Sequence, residues 1–340
     1  MKKICFRVDA NSDIGQGHVM RCLAIADYAK KYEIFDSIFI VSNIESGKLC
    51  IDRGYVCDFT RQDDYREYSI QRAEEMKGVI EKYDISAIFI DSYDVTAEYV
   101  RTLSEIKPII CFYSRYDVIK ADIVINYNIN VDINIYQKQY QDIKNRLLLG
   151  SKYIPLREEF AQTTKPMYRT SIERILVLTG GSDPYNIGDM IQYVAKELKK
   201  CQFIVARGQY VTQKQKEAGL GNIKYIYNTD RISEIMKDSD IVISAGGTTM
   251  YELCALRIPT IVYTMADNQK SEAEYLYKLG CIEFIGDVRE NENFTDCMLE
   301  KIKKYIYCPE KTKDMADKMK NVVDGNGCSR IVKSIESIIY

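Results

Sequence analysis

The chain has no tryptophan and a single histidine, His18, in 340 residues. With one imidazole and no Cys-x-x-Cys pair among its eleven cysteines, the sequence offers no basis for a zinc site. Most of the cysteines, such as Cys5, Cys22, Cys111 and Cys254, sit in apolar surroundings and read as reduced, buried small hydrophobes. Charge of one sign is also missing: 47 Lys and Arg face 49 Asp and Glu, a formal net charge of −2. Nothing in that balance argues for nucleic acid or an anionic membrane as partner. No apolar run approaches the roughly 18 residues that suggest a membrane span, and no signal peptide is evident. The expected compartment is the cytoplasm.

What is present is a repeated alternation. Apolar runs at 4–8, 37–41, 85–90, 108–112 and 123–126 alternate with helical patterns at 45–52, 65–82 and 96–105. That order predicts a parallel sheet with helices on both faces. The same logic restarts at 174–179, after an exposed connection around Thr163-Thr164-Lys165-Pro166. The length also favours two domains. The boundaries expected are 1–155 for the first domain and 170–325 for the second, with 326–340 as a last helix packing back on the first.

Three stretches carry chemistry. In the first, a strand runs into Asp9-Ala10-Asn11-Ser12-Asp13-Ile14-Gly15-Gln16-Gly17-His18 and then a helix. A glycine loop opening a helix presents free amides and the positive end of a dipole to phosphate or a developing oxyanion. A tight turn with a structural histidine is the competing local reading. A dinucleotide site is disfavoured, because the third glycine is replaced by Met20 and the second strand ends Val41-Ser42-Asn43 without an acid. The second stretch pairs two glycine turns after strands, Gly180-Gly181 and Gly246-Gly247. After the latter, Thr248 and Thr249 could cap a helix, and Glu252 could either complete a capping box or accept from ribose hydroxyls. The third is Ala266-Asp267-Asn268-Gln269, whose amides suit a sugar or pyrophosphate, or a helix cap at Asn268.

Arg7-x-Asp9-x-x-x-x-Ile14-Gly15-x-Gly17-His18-x-x-Arg21-Cys22-Leu23 resembles the opening motif of the PseG/SpsG family, UDP-sugar hydrolases of pseudaminic acid biosynthesis and related spore-coat polysaccharide proteins. Asp91-Ser92-Tyr93, the Ala266 to Gln269 segment and Asp324-Gly325-Asn326-Gly327 extend the likeness. The chain departs from the family after residue 111. The family usually has two aspartates there, and this chain reads Phe112-Tyr113-Ser114-Arg115-Tyr116-Asp117. The resemblance implies a GT-B fold, similar to MurG, with two Rossmann-like domains facing across a cleft. It implies release of UDP from a UDP-2,4-diacetamido-2,4,6-trideoxy-L-altrose or a related UDP-sugar, by water attack at the anomeric carbon with inversion, without metal or cofactor. His18 is then the catalytic base, with Asp9 and Tyr93 beside it and Asp13 a further candidate to orient it. Asp13, Gly15, Gly17, Arg21, Asn268 and Gln269 bind substrate, and Gly180, Gly181, Gly246, Gly247, Thr248, Thr249 and Glu252 bind nucleotide. The alternatives are a glycosyltransferase of the same fold, with an acceptor hydroxyl in place of water, and an inactive nucleotide-sugar binding protein.

Overall fold

The computed structural model describes residues 1–9, 16–60, 68–161, 170–181, 183–208, 221–227, 229 and 231–340. It divides into two compact units, Met1–Glu158 with Gly325–Tyr340, and Glu159–Asp324. Among the described residues no helix is long and apolar enough to cross a membrane.

The first unit contains β1 (Lys3–Val8), α1 (Gly17–Lys31), β2 (Asp36–Val41), α2 (Ile44–Ile51), β3 (Val56–Phe59), α3 (Ile70–Tyr83), β4 (Ala87–Asp91), α4 (Ala97–Ser104), β5 (Ile109–Phe112), β6 (Ile123–Asn126), α5 (Ile133–Gln139) and β7 (Leu147–Leu149). Its strands form a parallel sheet in the order β3-β2-β1-β4-β5-β6-β7. The central strands are buried on both faces, which is why β1 reads as a continuous apolar run rather than an alternating one. Phe6 stacks on Phe39 and on Phe89 of the flanking strands, each at 5.1 Å between ring centres. Ser69 and Thr96 accept from backbone amides to cap α3 and α4.

A short α6 (Glu158–Ala161) opens the second unit, which also holds β8 (Arg174–Leu178), α7 (Ile187–Glu197), β9 (Gln202–Arg207), β10 (Ile223–Tyr227), α8 (Ile232–Lys237), β11 (Ile241–Ala245), α9 (Thr249–Leu256), β12 (Thr260–Thr264), α10 (Asp267–Lys278), β13 (Glu283–Asp287), α11 (Phe294–Tyr307) and α12 (Glu310–Met319). This sheet is parallel too, in the order β10-β9-β8-β11-β12-β13.

The final helix, α13 (Gly327–Ile339), belongs to the first unit. Arg330 donates to the Lys152 carbonyl at 2.7 Å, and the Tyr340 hydroxyl to that of Ile34 at 3.2 Å. The Asp-Gly-x-Gly stretch before it has a structural reason. Gly325 takes a φ of +76°, and a Cβ on Gly327 would fall 1.9 Å from the Ile154 carbonyl oxygen.

Candidate active site

Both sheets reverse strand order at one point, between β1 and β4 in the first and between β8 and β11 in the second. Ligands of doubly wound sheets gather beyond the carboxyl ends of the strands at such points. All the glycine turns singled out above follow strands that flank them.

In the first unit, Val8 pairs in register with Asp91, the last residue of β4. Asp91 is 1% exposed. It accepts from His18 Nδ1 at 2.7 Å, from Arg21 Nε at 2.5 Å, from Arg21 Nη2, and from Cys22 Sγ at 3.6 Å. Residues 18, 21 and 22 lie three and four apart, so they share one face of α1. The His-x-x-Arg-Cys spacing therefore gathers three donors around a single buried carboxylate. Burial alone would push that carboxyl up, but the Arg21 guanidinium and His18 outweigh it and hold Asp91 well below the usual carboxylate range. Burial, and then the Asp91 charge, push the Cys22 thiol far up, so it is a donor and not a nucleophile.

An ionised Asp91 can only accept, so the proton of a neutral His18 sits on Nδ1 and the lone pair on Nε2. Arg21 Nη2 lies 3.2 Å from His18 Nδ1. Both are donors, and both converge on Asp91 Oδ1. His18 Nε2 is buried and has no hydrogen-bond partner among the described residues. A buried polar atom left unpaired is exceptional and marks a place where a partner of another kind fits. The Tyr93 ring meets the imidazole edge-on, with centres 4.5 Å apart and planes at 81°.

Several sequence expectations are corrected here. Asp9 does not orient His18. It accepts from Arg7 Nη1 at 2.5 Å and from the Ser42 amide and hydroxyl at 2.6 and 2.8 Å, lacing the end of β1 to the end of β2. Asp91 does the orienting instead. Arg21, expected on the substrate, is spent inside the protein: it forks onto Asp91, donates through Nη1 to the Tyr127 hydroxyl, and lies over the rings of Phe112 and Tyr127 at 4.7 and 5.3 Å. Gly17 is the first residue of α1, whose N-cap, Gln16, makes no side-chain cap and whose first turn carries no acid. The positive helix end there keeps its field. Asp13 and Gly15 lie outside the described residues.

The second switch point is built mostly of backbone. Gly180, at φ +78°, accepts through its carbonyl from the Gly208 amide at 3.1 Å. A Cβ on Gly208 would fall 2.5 Å from Gly181 Cα, so the chain ends beyond β8 and β9 touch main chain to main chain. Next to this turn, Asp183 is fully buried and caps α7 by accepting from the amides of Ile187 and Gly188 at 2.7 and 3.0 Å. Gly246 is wedged: its amide donates to the Tyr263 carbonyl at 2.8 Å, and a Cβ would meet Thr264 Cγ2 at 3.1 Å. At Gly247 a Cβ would meet nothing within 4 Å. Gly246 thus packs β11 against β12, while Gly247 leaves open space at the start of α9.

Thr248 does not cap α9 with its hydroxyl, because it is already helical at φ −56° and ψ −23°. A capping side chain needs an extended backbone at that position. Thr249 begins the helix, and Glu252 lies in its first turn. The cap expected at Asn268 is not made either, since α10 already starts at Asp267, with Ala266 as its N-cap. Gln269 Oε1 instead accepts from the Met265 amide at 3.0 Å and closes the turn after β12.

One network was not singled out from the sequence. Asp287, at the end of β13, accepts from Thr264 Oγ1 at 3.1 Å and from the Arg289 amide, Nε and Nη2, each at 2.9 Å. Arg289 Nη2 also reaches Asp267 at 2.6 Å. These bonds from Arg289 pull the Asp287 carboxyl down to about 2. The Asp267-x₁₉-Asp287-x-Arg289 spacing carries no local signal, because the partners come from different elements.

Residues 175–328 match the glycosyltransferase family 28 C-terminal domain. Over 99% of its length the chain superposes on all of the Acinetobacter baumannii MurG structure, with a TM-score of 0.67 at 13% identity. The fold is GT-B. In sequence the chain is 25% identical over 295 residues to an uncharacterised protein of Methanocaldococcus jannaschii, covering 82% of this chain and 59% of that one. It is 26% identical over 286 residues to the UDP-2,4-diacetamido-2,4,6-trideoxy-beta-L-altropyranose hydrolase of Campylobacter jejuni, covering 82% of this chain and 97% of the relative.

Proposed function

We propose that the chain is a nucleotide-sugar hydrolase that releases UDP from UDP-2,4-diacetamido-2,4,6-trideoxy-L-altrose or a closely related UDP-sugar, in nonulosonic acid synthesis. The observation that carries this reading is His18, whose Nδ1 is fixed by ionised Asp91 while its buried Nε2 is unpaired. A histidine held in that tautomer is a general base for water. Asp91 then stabilises the imidazolium as the proton arrives. The nucleoside diphosphate is assigned to the second unit, where the amides opening α9 and the space at Gly247 suit a leaving diphosphate. Asn268 and Glu252 are assigned to sugar and ribose hydroxyls. The Campylobacter relative supports the substrate class.

A glycosyltransferase is the second reading, favoured by the family 28 match over 175–328. The two part on one experiment. The protein is incubated with the UDP-sugar alone, and UDP is followed by phosphorus NMR. Release without an acceptor supports the hydrolase. Release only after an acceptor is added selects the transferase.

A further inference from the structure

Arg115 sits where the chain leaves the pattern of the family it resembles, in the connection after β5. That connection is held firmly. The Tyr136 hydroxyl donates to the carbonyls of Tyr113 and Arg115, at 2.9 and 3.1 Å, and itself accepts from Asn126 Nδ2 at 2.9 Å. The Tyr140 hydroxyl accepts from the Ile119 amide at 3.1 Å and lies 3.4 Å from the Asp117 carbonyl. From this platform the Arg115 guanidinium reaches the connection between β4 and α4. Nη2 donates to the Val95 carbonyl at 2.5 Å, and Nη1 to that of Tyr93 at 3.5 Å. Nε and Nη2 also share the Tyr113 hydroxyl, at 3.1 and 2.9 Å, and Nε lies 3.4 Å from Asp117. With its nitrogens committed to the chain's own groups, Arg115 reads as a clamp, not as a cation offered to a ligand.

What the clamp holds is the backbone that carries Tyr93, whose half-exposed ring stands edge-on against His18. Asp91 holds the imidazole at Nδ1. The Tyr93 ring, perpendicular to it, is a contact on the ring itself.

We propose that Arg115 is a positioning residue for His18: by pinning the Tyr93 and Val95 carbonyls it sets the Tyr93 ring against the imidazole and so the direction of Nε2. The catalytic half of this inference rests on the hydrolase reading; the structural half does not. A lysine keeps the charge and loses the planar fork, so it does not replace Arg115.

The test uses the single histidine. Protein labelled with carbon-13 at the histidine Cε1 alone gives one imidazole signal, from His18. It is recorded without substrate for wild type, Arg115→Lys, Arg115→Ala, Tyr93→Ala and the Arg115→Ala/Tyr93→Ala double variant. Tyr93→Ala is expected to shift the signal by removing the ring current. Both Arg115 variants are expected to shift it in the same sense, and the double variant to match Tyr93→Ala alone. In turnover, Arg115→Lys is expected to lower kcat by about 10- to 100-fold with KM unchanged. A His18 signal that stays at its wild-type position in Arg115→Lys while Tyr93→Ala moves it overturns the proposal, as does a signal that Tyr93→Ala leaves in place. Additive losses in the double variant overturn it too. If the signals behave as expected and wild type hydrolyses no UDP-sugar, the clamp stands and the hydrolase reading falls. Should Arg115→Ala not fold, Arg115→Lys carries the comparison.

Discussion

The two switch points solve different problems with the same topology. At the first, between β1 and β4, side chains meet: a buried carboxylate at the end of β4 faces a histidine and an arginine from the start of α1. At the second, between β8 and β11, the strand ends present main chain, and its glycines let backbones meet or leave room. A site that must move a proton needs an ionisable group whose tautomer is fixed, and this costs a desolvated ion pair. A site that holds a diphosphate needs only amides and space, and these add no charge to titrate. On the proposed reading, chemistry belongs to the first unit and recognition to the second.

The largest effect that would sharpen this contrast is expected at His18. His18→Ala should slow UDP release by about 10²- to 10⁴-fold, the usual worth of a general base. UDP affinity by calorimetry should be unchanged, because the nucleotide is assigned to the other unit. Loss of UDP affinity in this variant would break the division.

Asp91→Asn comes next. It replaces one of the two oxygens that accept from Arg21 with an NH2 donor and leaves the guanidinium without a counter-charge. A stability loss of about 3–5 kcal/mol is expected in urea unfolding. A loss under about 1 kcal/mol would show that Asp91 is not the hub described above.

The two glycines after β11 should separate. Gly246→Ala forces a methyl against Thr264 and should cost about 1–3 kcal/mol of stability. Gly247→Ala meets open space and should leave stability within about 0.5 kcal/mol, while weakening UDP about tenfold, or 1.4 kcal/mol. Equal effects on stability would remove the distinction drawn between them.

The smallest effect concerns charge in the second unit. Asp287 is held at about 2 by Arg289, below the roughly 3.9 of an unfolded aspartate. A depressed carboxyl stabilises the folded state above its unfolded value and loses that contribution as pH falls. The advantage of wild type over Arg289→Ala in thermal midpoint should therefore be full above about pH 4 and shrink towards pH 2. An advantage that does not change with pH would mean that the arginine acts through packing.

The sequence displayed what is local. A strand, a glycine loop and a helix start are contiguous, so His18, Gly180-Gly181 and Gly246-Gly247 could be found without a structure. The partner of His18 could not. Asp91 is 73 residues away and becomes a neighbour only because β4 pairs with β1, whereas Asp9 enters through the motif that the resemblance rests on. Arg21 was misplaced for a related reason: its spacing from His18 shows a shared helix face, but not that the face turns inward. The threonine cap fails by a backbone angle and the asparagine cap by two residues, which composition does not specify. Arg115 looked like a departure from a pattern, and its meaning appeared only through the carbonyls it reaches.

The central claim is that His18 activates water against the anomeric carbon of a UDP-sugar. We would run the reaction in oxygen-18 water with wild type and His18→Ala and analyse the UDP by mass spectrometry. The account predicts rapid release of unlabelled UDP from wild type, since the bond broken lies between the anomeric carbon and the phosphate oxygen, and near-complete loss of that release in His18→Ala. Oxygen-18 in the UDP, or undiminished release by the variant, would contradict it.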